Sequence, residues 1–219
     1  MFMRRYTARS PAIPSSPDAE ERLNTISHAA GILLGIAATL ALAIRAIASG
    51  DIWRIVTYPV FGLTAILLYT ASTVYHGQGD PGIKAKLKVF DHVSIYYLIA
   101  GTYTPITIVG MGGVWGWTIF GTVWGLALAG TLFKLLFTGR FPVISTVLYI
   151  AMGWIAVIAV VPLIRSLPVA VLAWLLAGGL FYTTGVVFYA WRRLPFNHGI
   201  WHFFVLFGTA CHFVAVMLL

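Results

Sequence analysis

Seven apolar stretches, each near the roughly 20 residues that a helix needs to cross a hydrocarbon core, fill almost the whole chain. They run approximately over 26–47, 55–76, 92–110, 114–137, 142–163, 168–190 and 198–219. Only short polar or glycine-rich joints separate them, at 50–51, 77–91, 110–113, 139–142, 165–168 and 192–197. Backbone in lipid must satisfy its own hydrogen bonds, so spans of this length are helices. The predicted fold class is therefore an all-α membrane protein, a single seven-transmembrane helix bundle over residues 20–219. Charged residues are 9% of the chain, against about 25% in a soluble domain, and this leaves no sequence for a soluble partner domain. Residues 1–19 are basic, then rich in Pro and Ser, and lack the apolar core of a signal peptide. They are read as a disordered cytoplasmic tail.

The basic residues set the orientation. Arg4, Arg5, Arg9 and Arg22 precede the first span, Lys84, Lys86 and Lys88 follow the second, Lys134 and Arg140 flank the end of the fourth, towards the fifth, and Arg192 and Arg193 follow the sixth. Those eleven fall on one side of the membrane, while Arg45, Arg54 and Arg165 fall on the other. The positive-inside rule then predicts a cytoplasmic N-terminus and a C-terminus outside. A cysteine placed at position 86 on a Cys211→Ser background should resist labelling from the outside of oriented vesicles; labelling there would reverse the orientation. The net charge of +8 is confined to these joints, so its natural partners are anionic lipid headgroups and not nucleic acid. Cys211 is the single cysteine, which excludes an intramolecular disulfide.

Within this apolar frame, His76, Asp91, His198 and His202 stand at span ends. The orientation, derived from Lys and Arg alone, brings all four to the cytoplasmic side. Ionisable groups at membrane depth are costly and tend to mark functional sites. His198 and His202, four residues apart, share a helix face and can chelate one ion. His76 from another helix completes three protein ligands, which leaves a fourth tetrahedral position open to water, the catalytic type of zinc site. Zinc lowers the pKa of such a water to about 7. Asp91 is placed to hold that water and accept its proton. Ser72, one turn deeper than His76, is placed to hydrogen-bond a carbonyl or a developing oxyanion.

Each residue also has a structural reading. Asp91 can cap the third span, Ser72 can bond back to its own helix, and the histidines can be interfacial or interhelical hydrogen-bonding groups. Their convergence at one depth on three helices favours a metal. His28 lies near Glu20, Glu21 and Asn24, and either backs the site or fixes the helix at the interface. His92 is turned about 100° from Asp91 and points elsewhere. His212 lies about 15 Å beyond His202 along the helix, too far to share an ion, and is expected to hydrogen-bond within the bundle. Tyr103, Thr104 and Pro105 predict a kink in the third span.

The segments Glu20-Glu21-Arg22-Leu23-Asn24-Thr25-Ile26-Ser27-His28, Ser72-Thr73-Val74-Tyr75-His76, Phe90-Asp91-His92 through Ala100-Gly101-Thr102-Tyr103-Thr104-Pro105, and Asn197-His198-Gly199-Ile200-Trp201-His202 carry a resemblance. In this order and spacing the chain resembles haemolysin III proteins, the bacterial branch of the progestin and adipoQ receptor family, to which the adiponectin receptors belong. The resemblance covers residues 20–219. It implies a seven-helix bundle in a bacterial cytoplasmic membrane and an intramembrane zinc ion near the cytoplasmic face. It also implies that His76, His198 and His202 are the zinc ligands, Asp91 the water-holding aspartate and Ser72 the serine of the SxxxH motif. Alkaline ceramidases belong to a wider superfamily with this site. The function expected is a zinc-dependent hydrolase of lipid amide or ester bonds. The alternatives are a lipid-responsive regulator with structural zinc, or a haemolytic pore former.

Overall fold

In a computed structural model, residues 17–137 and 142–219 are described. Up to residue 16 the expected tail lies outside the described residues, as does the joint at 138–141 with Arg140. The described chain runs through eight α-helices: α1 Pro17–Ser49, α2 Ile52–Gly77, α3 Pro81–Pro105, α4 Gly113–Leu136, α5 Pro142–Gly153, α6 Val160–Ser166, α7 Val169–Ala190 and α8 Asn197–Met217. A π-helical segment, Ile106–Met111, extends α3, and a 3-10 segment, Ile155–Ala159, joins α5 to α6. Seven of the resulting helical runs are long and apolar enough to cross a membrane. Large apolar side chains such as Leu33, Ile44, Leu128 and Val169 cover the outside, where lipid would meet them. Among the described residues the interior holds two clusters, one built on Tyr58, Phe61, Tyr69 and Val216, the other on Tyr96, Val123, Ala127 and Met152. Helices α1, α2 and α3 pack in succession, and α1 also contacts α8.

Three departures from the sequence expectation have local causes. α1 has 33 residues, about 50 Å at 1.5 Å per residue, and starts well before the apolar run at 26. Its first turns carry Glu20, Glu21 and Asn24. α3 begins at Pro81 rather than near 92, because Asp80 caps it through Ile83 N at 2.8 Å and Pro81 suits the first turn. The joint expected at 77–91 is thus mostly helix, with Lys84, Lys86 and Lys88 on it and Asp91 well inside it. Lys134, expected in a joint, lies buried in the last turn of α4.

The fifth span is interrupted near its middle. Backbone groups freed at such a break need side-chain partners in lipid. Tyr103 supplies them: its hydroxyl donates to the Gly153 carbonyl at 2.7 Å and accepts from the Ala156 amide at 3.1 Å. Trp154 Nε1 donates to Thr183 Oγ1 at 2.9 Å, tying the break to α7. At Pro105, where a kink was expected, α3 passes into the π-helical segment Ile106–Met111.

Helices α7 and α8 pack closely at glycines, as membrane helices do where small residues let backbones approach. A Cβ on Gly178 would strike the His212 ring and come within 3.1 Å of the Gly208 carbonyl. Gly178→Ala is expected to destabilise the fold by about 1–3 kcal/mol through overpacking, while metal content stays at the wild-type level. Thermal unfolding in detergent with elemental analysis checks this, and an unchanged midpoint would contradict so close an approach.

Candidate metal centre

His76 stands in the last turn of α2, and His198 and His202 occupy the first turns of α8. The start of α8 is fixed locally. Phe196 takes a left-handed conformation, φ 58°, and turns the chain after the short joint from α7. Asn197 then donates its side-chain amide to the carbonyl of Tyr189 at 2.9 Å and, more weakly, to that of Phe188 at 3.4 Å, which also accepts the Trp191 amide, helping to satisfy the carbonyls at the end of α7. This contact clamps the end of α7 to the beginning of α8 and sets where His198 begins.

The three imidazoles form a nearly equilateral triangle. Ring centroids are 4.8 Å apart for His76 and His198, 5.1 Å for His76 and His202, and 4.8 Å for His198 and His202. The planes cross at 78°, 71° and 82°. One ring nitrogen from each lies within 4.8 Å of the others. Tetrahedral zinc with bonds of about 2.0–2.1 Å needs small inward movements from that spacing.

The outer ring nitrogens already have partners on α1. His76 Nδ1 lies 2.6 Å from Glu21 Oε2. His202 Nδ1 lies 3.0 Å from Ser27 Oγ and 3.2 Å from the Asn24 carbonyl. A histidine that uses Nδ1 in this way presents Nε2 as its ligand atom. His76 Nε2 is buried with no hydrogen-bond partner, a costly state for a polar atom unless something binds it. Three neutral imidazoles suit zinc or a neighbouring transition metal better than magnesium or calcium, which favour oxygen. The residues therefore fit a metal, and their chemistry fits zinc.

The sequence reading left Glu21, Asn24 and Ser27 without assigned roles. The signal is present: steps of three place them along one face of a helix. It is masked because polar residues at the edge of an apolar span also read as interfacial. His28, on the same face, stacks on His202 with centroids 3.5 Å apart and planes at 7°. Both of its nitrogens are buried without partners. His28 thus backs the triangle, one of its two expected roles.

Ser72 and Asp91 join the site from the cavity side. A cavity of about 120 Å³ is lined at one end by Ser72, Asp91, His198 and His202, and reaches Thr183 and His212. A second, of about 380 Å³, shares Thr102, Tyr103, Trp154 and His212 with it. Their walls are largely apolar. Ser72 Oγ is buried and faces the Asp91 carboxylate; it does not bond back to its helix, as Thr73 does to Tyr69 at 2.7 Å. Asp91 is buried inside α3 and is no helix cap. It stays outside the three-histidine group. His92 does not line the cavity, and His212 Nε2 meets the Leu175 carbonyl at 3.3 Å.

The sequence profile described as Haemolysin-III related matches residues 18–213. The chain belongs to this family. It is 44% identical over 198 residues to the Hemolysin-3 homolog of Bacillus subtilis (strain 168), covering 90% of this chain and 93% of that one. It is 42% identical to Hemolysin-3 of Bacillus cereus over 198 residues, with 90% of each chain covered. A more distant similarity, 28% over 214 residues, links it to the human monocyte to macrophage differentiation factor, covering 90% of this chain and 83% of the human protein. The haemolysin-III related fold here is an integral membrane bundle in which α2 and α8 bring together three histidines able to hold a metal ion.

Proposed function

We propose that this protein is a zinc-dependent hydrolase of lipid amide or ester bonds, working in a bacterial cytoplasmic membrane. The observation that carries the reading is the apolar cavity that begins at Ser72, Asp91, His198 and His202 and runs to His212. His212 lies about 15 Å along α8 from His202. A purely structural metal pin between α2 and α8 has no use for such a cavity, whereas its apolar walls, continued by those of the larger cavity that adjoins it at Thr102, Tyr103, Trp154 and His212, suit an acyl chain.

Zinc, when bound, supplies Lewis acidity, which acidifies water and polarises a carbonyl oxygen. The protein's own groups do the rest. The cavity walls hold the acyl chain and keep bulk water away from the scissile bond. Ser72 Oγ donates a hydrogen bond to the carbonyl oxygen as negative charge develops there. The Asp91 carboxylate takes the proton of the attacking water and passes it to the leaving amine or alkoxide. On the charge-derived orientation these groups sit near the cytoplasmic leaflet, at headgroup depth. The Bacillus relatives carry haemolysis in their names; on this reading lysis follows from lipid products.

The test is a panel of N-acyl and ester lipids presented to the purified protein in micelles, before and after chelation and with zinc restored. Hydrolysis that disappears on chelation and returns with zinc is expected. A zinc-loaded protein that cleaves no member of the panel would point instead to a lipid-responsive regulator with structural zinc.

A further inference from the structure

We infer that Glu21 is a positioning residue for the metal centre: its carboxylate orients His76 as a ligand from the first turns of α1. The inference rests on the reading of the three histidines as a metal site. The two oxygens of Glu21 have separate tasks. Oε2 lies 2.6 Å from His76 Nδ1, and Oε1 lies 2.9 Å from Lys84 Nζ on α3. Lys84 thereby fixes the plane of the carboxylate, and the carboxylate fixes the rotation of the imidazole about its Cβ–Cγ bond.

Burial separates this role from that of a stabilising ion pair. The side chains of Glu21 and Lys84 are 38% and 26% exposed, while that of His76 is 2% exposed. Partly exposed pairs such as Glu21 and Lys84 add little to stability. The contact with His76, by contrast, occupies the one nitrogen that faces away from the other two histidines. Carboxylate–histidine–metal arrangements hold the tautomer, aim the ligand lone pair and raise its basicity. His202 has its own outer partners in Asn24 and Ser27, so α1 orients two of the three ligands while contributing none.

The test uses the purified full chain. Zinc affinity is measured by competition with a chelator, and thermal unfolding is recorded with and without metal, for wild type, Glu21→Ala and Glu21→Gln. Glu21→Ala is expected to weaken zinc binding by about 10–100-fold, the usual effect of removing such an outer partner. Its metal-free unfolding midpoint should match wild type. Glu21→Gln keeps an acceptor oxygen for Nδ1–H and should lose less. Wild-type zinc affinity in Glu21→Ala would overturn the inference, and a lowered metal-free midpoint alongside it would assign Glu21 to the fold. Failure of the wild type to bind zinc would overturn the metal reading itself, a result distinct from equal binding by both proteins.

Discussion

His76→Ala, His198→Ala and His202→Ala are each expected to lose zinc, with content falling from about one ion per chain to near zero after exposure to a moderate chelator. Metal binding to structural zinc sites is worth about 10–16 kcal/mol over four ligands, so one ligand accounts for about 2.5–4 kcal/mol, or roughly 10²–10³ in affinity. Any stabilisation that bound zinc gives to wild type should disappear with it, because an ion held by all three histidines would join α2 to α8 and favour the folded state. His212→Ala and His92→Ala are the controls. His212 is turned to the Leu175 carbonyl and His92 lies off the cavity, so both should keep the metal. Elemental analysis with thermal unfolding on the same samples decides. Full zinc in the His202→Ala protein would remove that residue from the ligand set.

The second large effect separates catalysis from metal holding. Asp91→Asn should keep wild-type zinc content and a wild-type fold, since Asp91 lies outside the three-histidine group. It should nonetheless lose turnover by about 10²–10⁴-fold, because an amide cannot take the proton. Ser72→Ala should lose about 10²-fold, by analogy with removing one oxyanion donor. Its hydroxyl makes no bond to its own helix, so loss of a helix contact is a poor alternative cause. If the metal serves only as a pin, both variants should match wild type in every cellular assay while the histidine variants lose stability. Wild-type rates in Asp91→Asn on any lipid that the wild type cleaves would dismiss Asp91 as the base.

Much of this was legible in the chain because membrane sequences separate their signals. Apolar length marks the spans, Lys and Arg suggest which ends lie together, and a polar residue against that background stands out. His198 and His202 could be paired from spacing alone, and the charge pattern put His76 and Asp91 at their depth. What escaped depends on contacts between distant segments. The break at Trp154 sits inside an uninterrupted apolar run, and what satisfies it, the Tyr103 hydroxyl, comes from another helix. Glu21, Asn24 and Ser27 resemble ordinary interfacial polar residues until the fold sets His76 and His202 against them. The start of α3 was readable from Asp80-Pro81, but the three lysines that follow disguise its first turns as a joint.

Diffraction from the purified protein across the zinc absorption edge tests the central claim most directly. One anomalous peak is expected, within about 2.0–2.1 Å of a ring nitrogen of each of His76, His198 and His202, with no fourth protein ligand and with its open side toward Ser72 and Asp91. A centre without a peak would contradict the metal assignment, and a peak closed off by a fourth protein ligand would contradict the hydrolase.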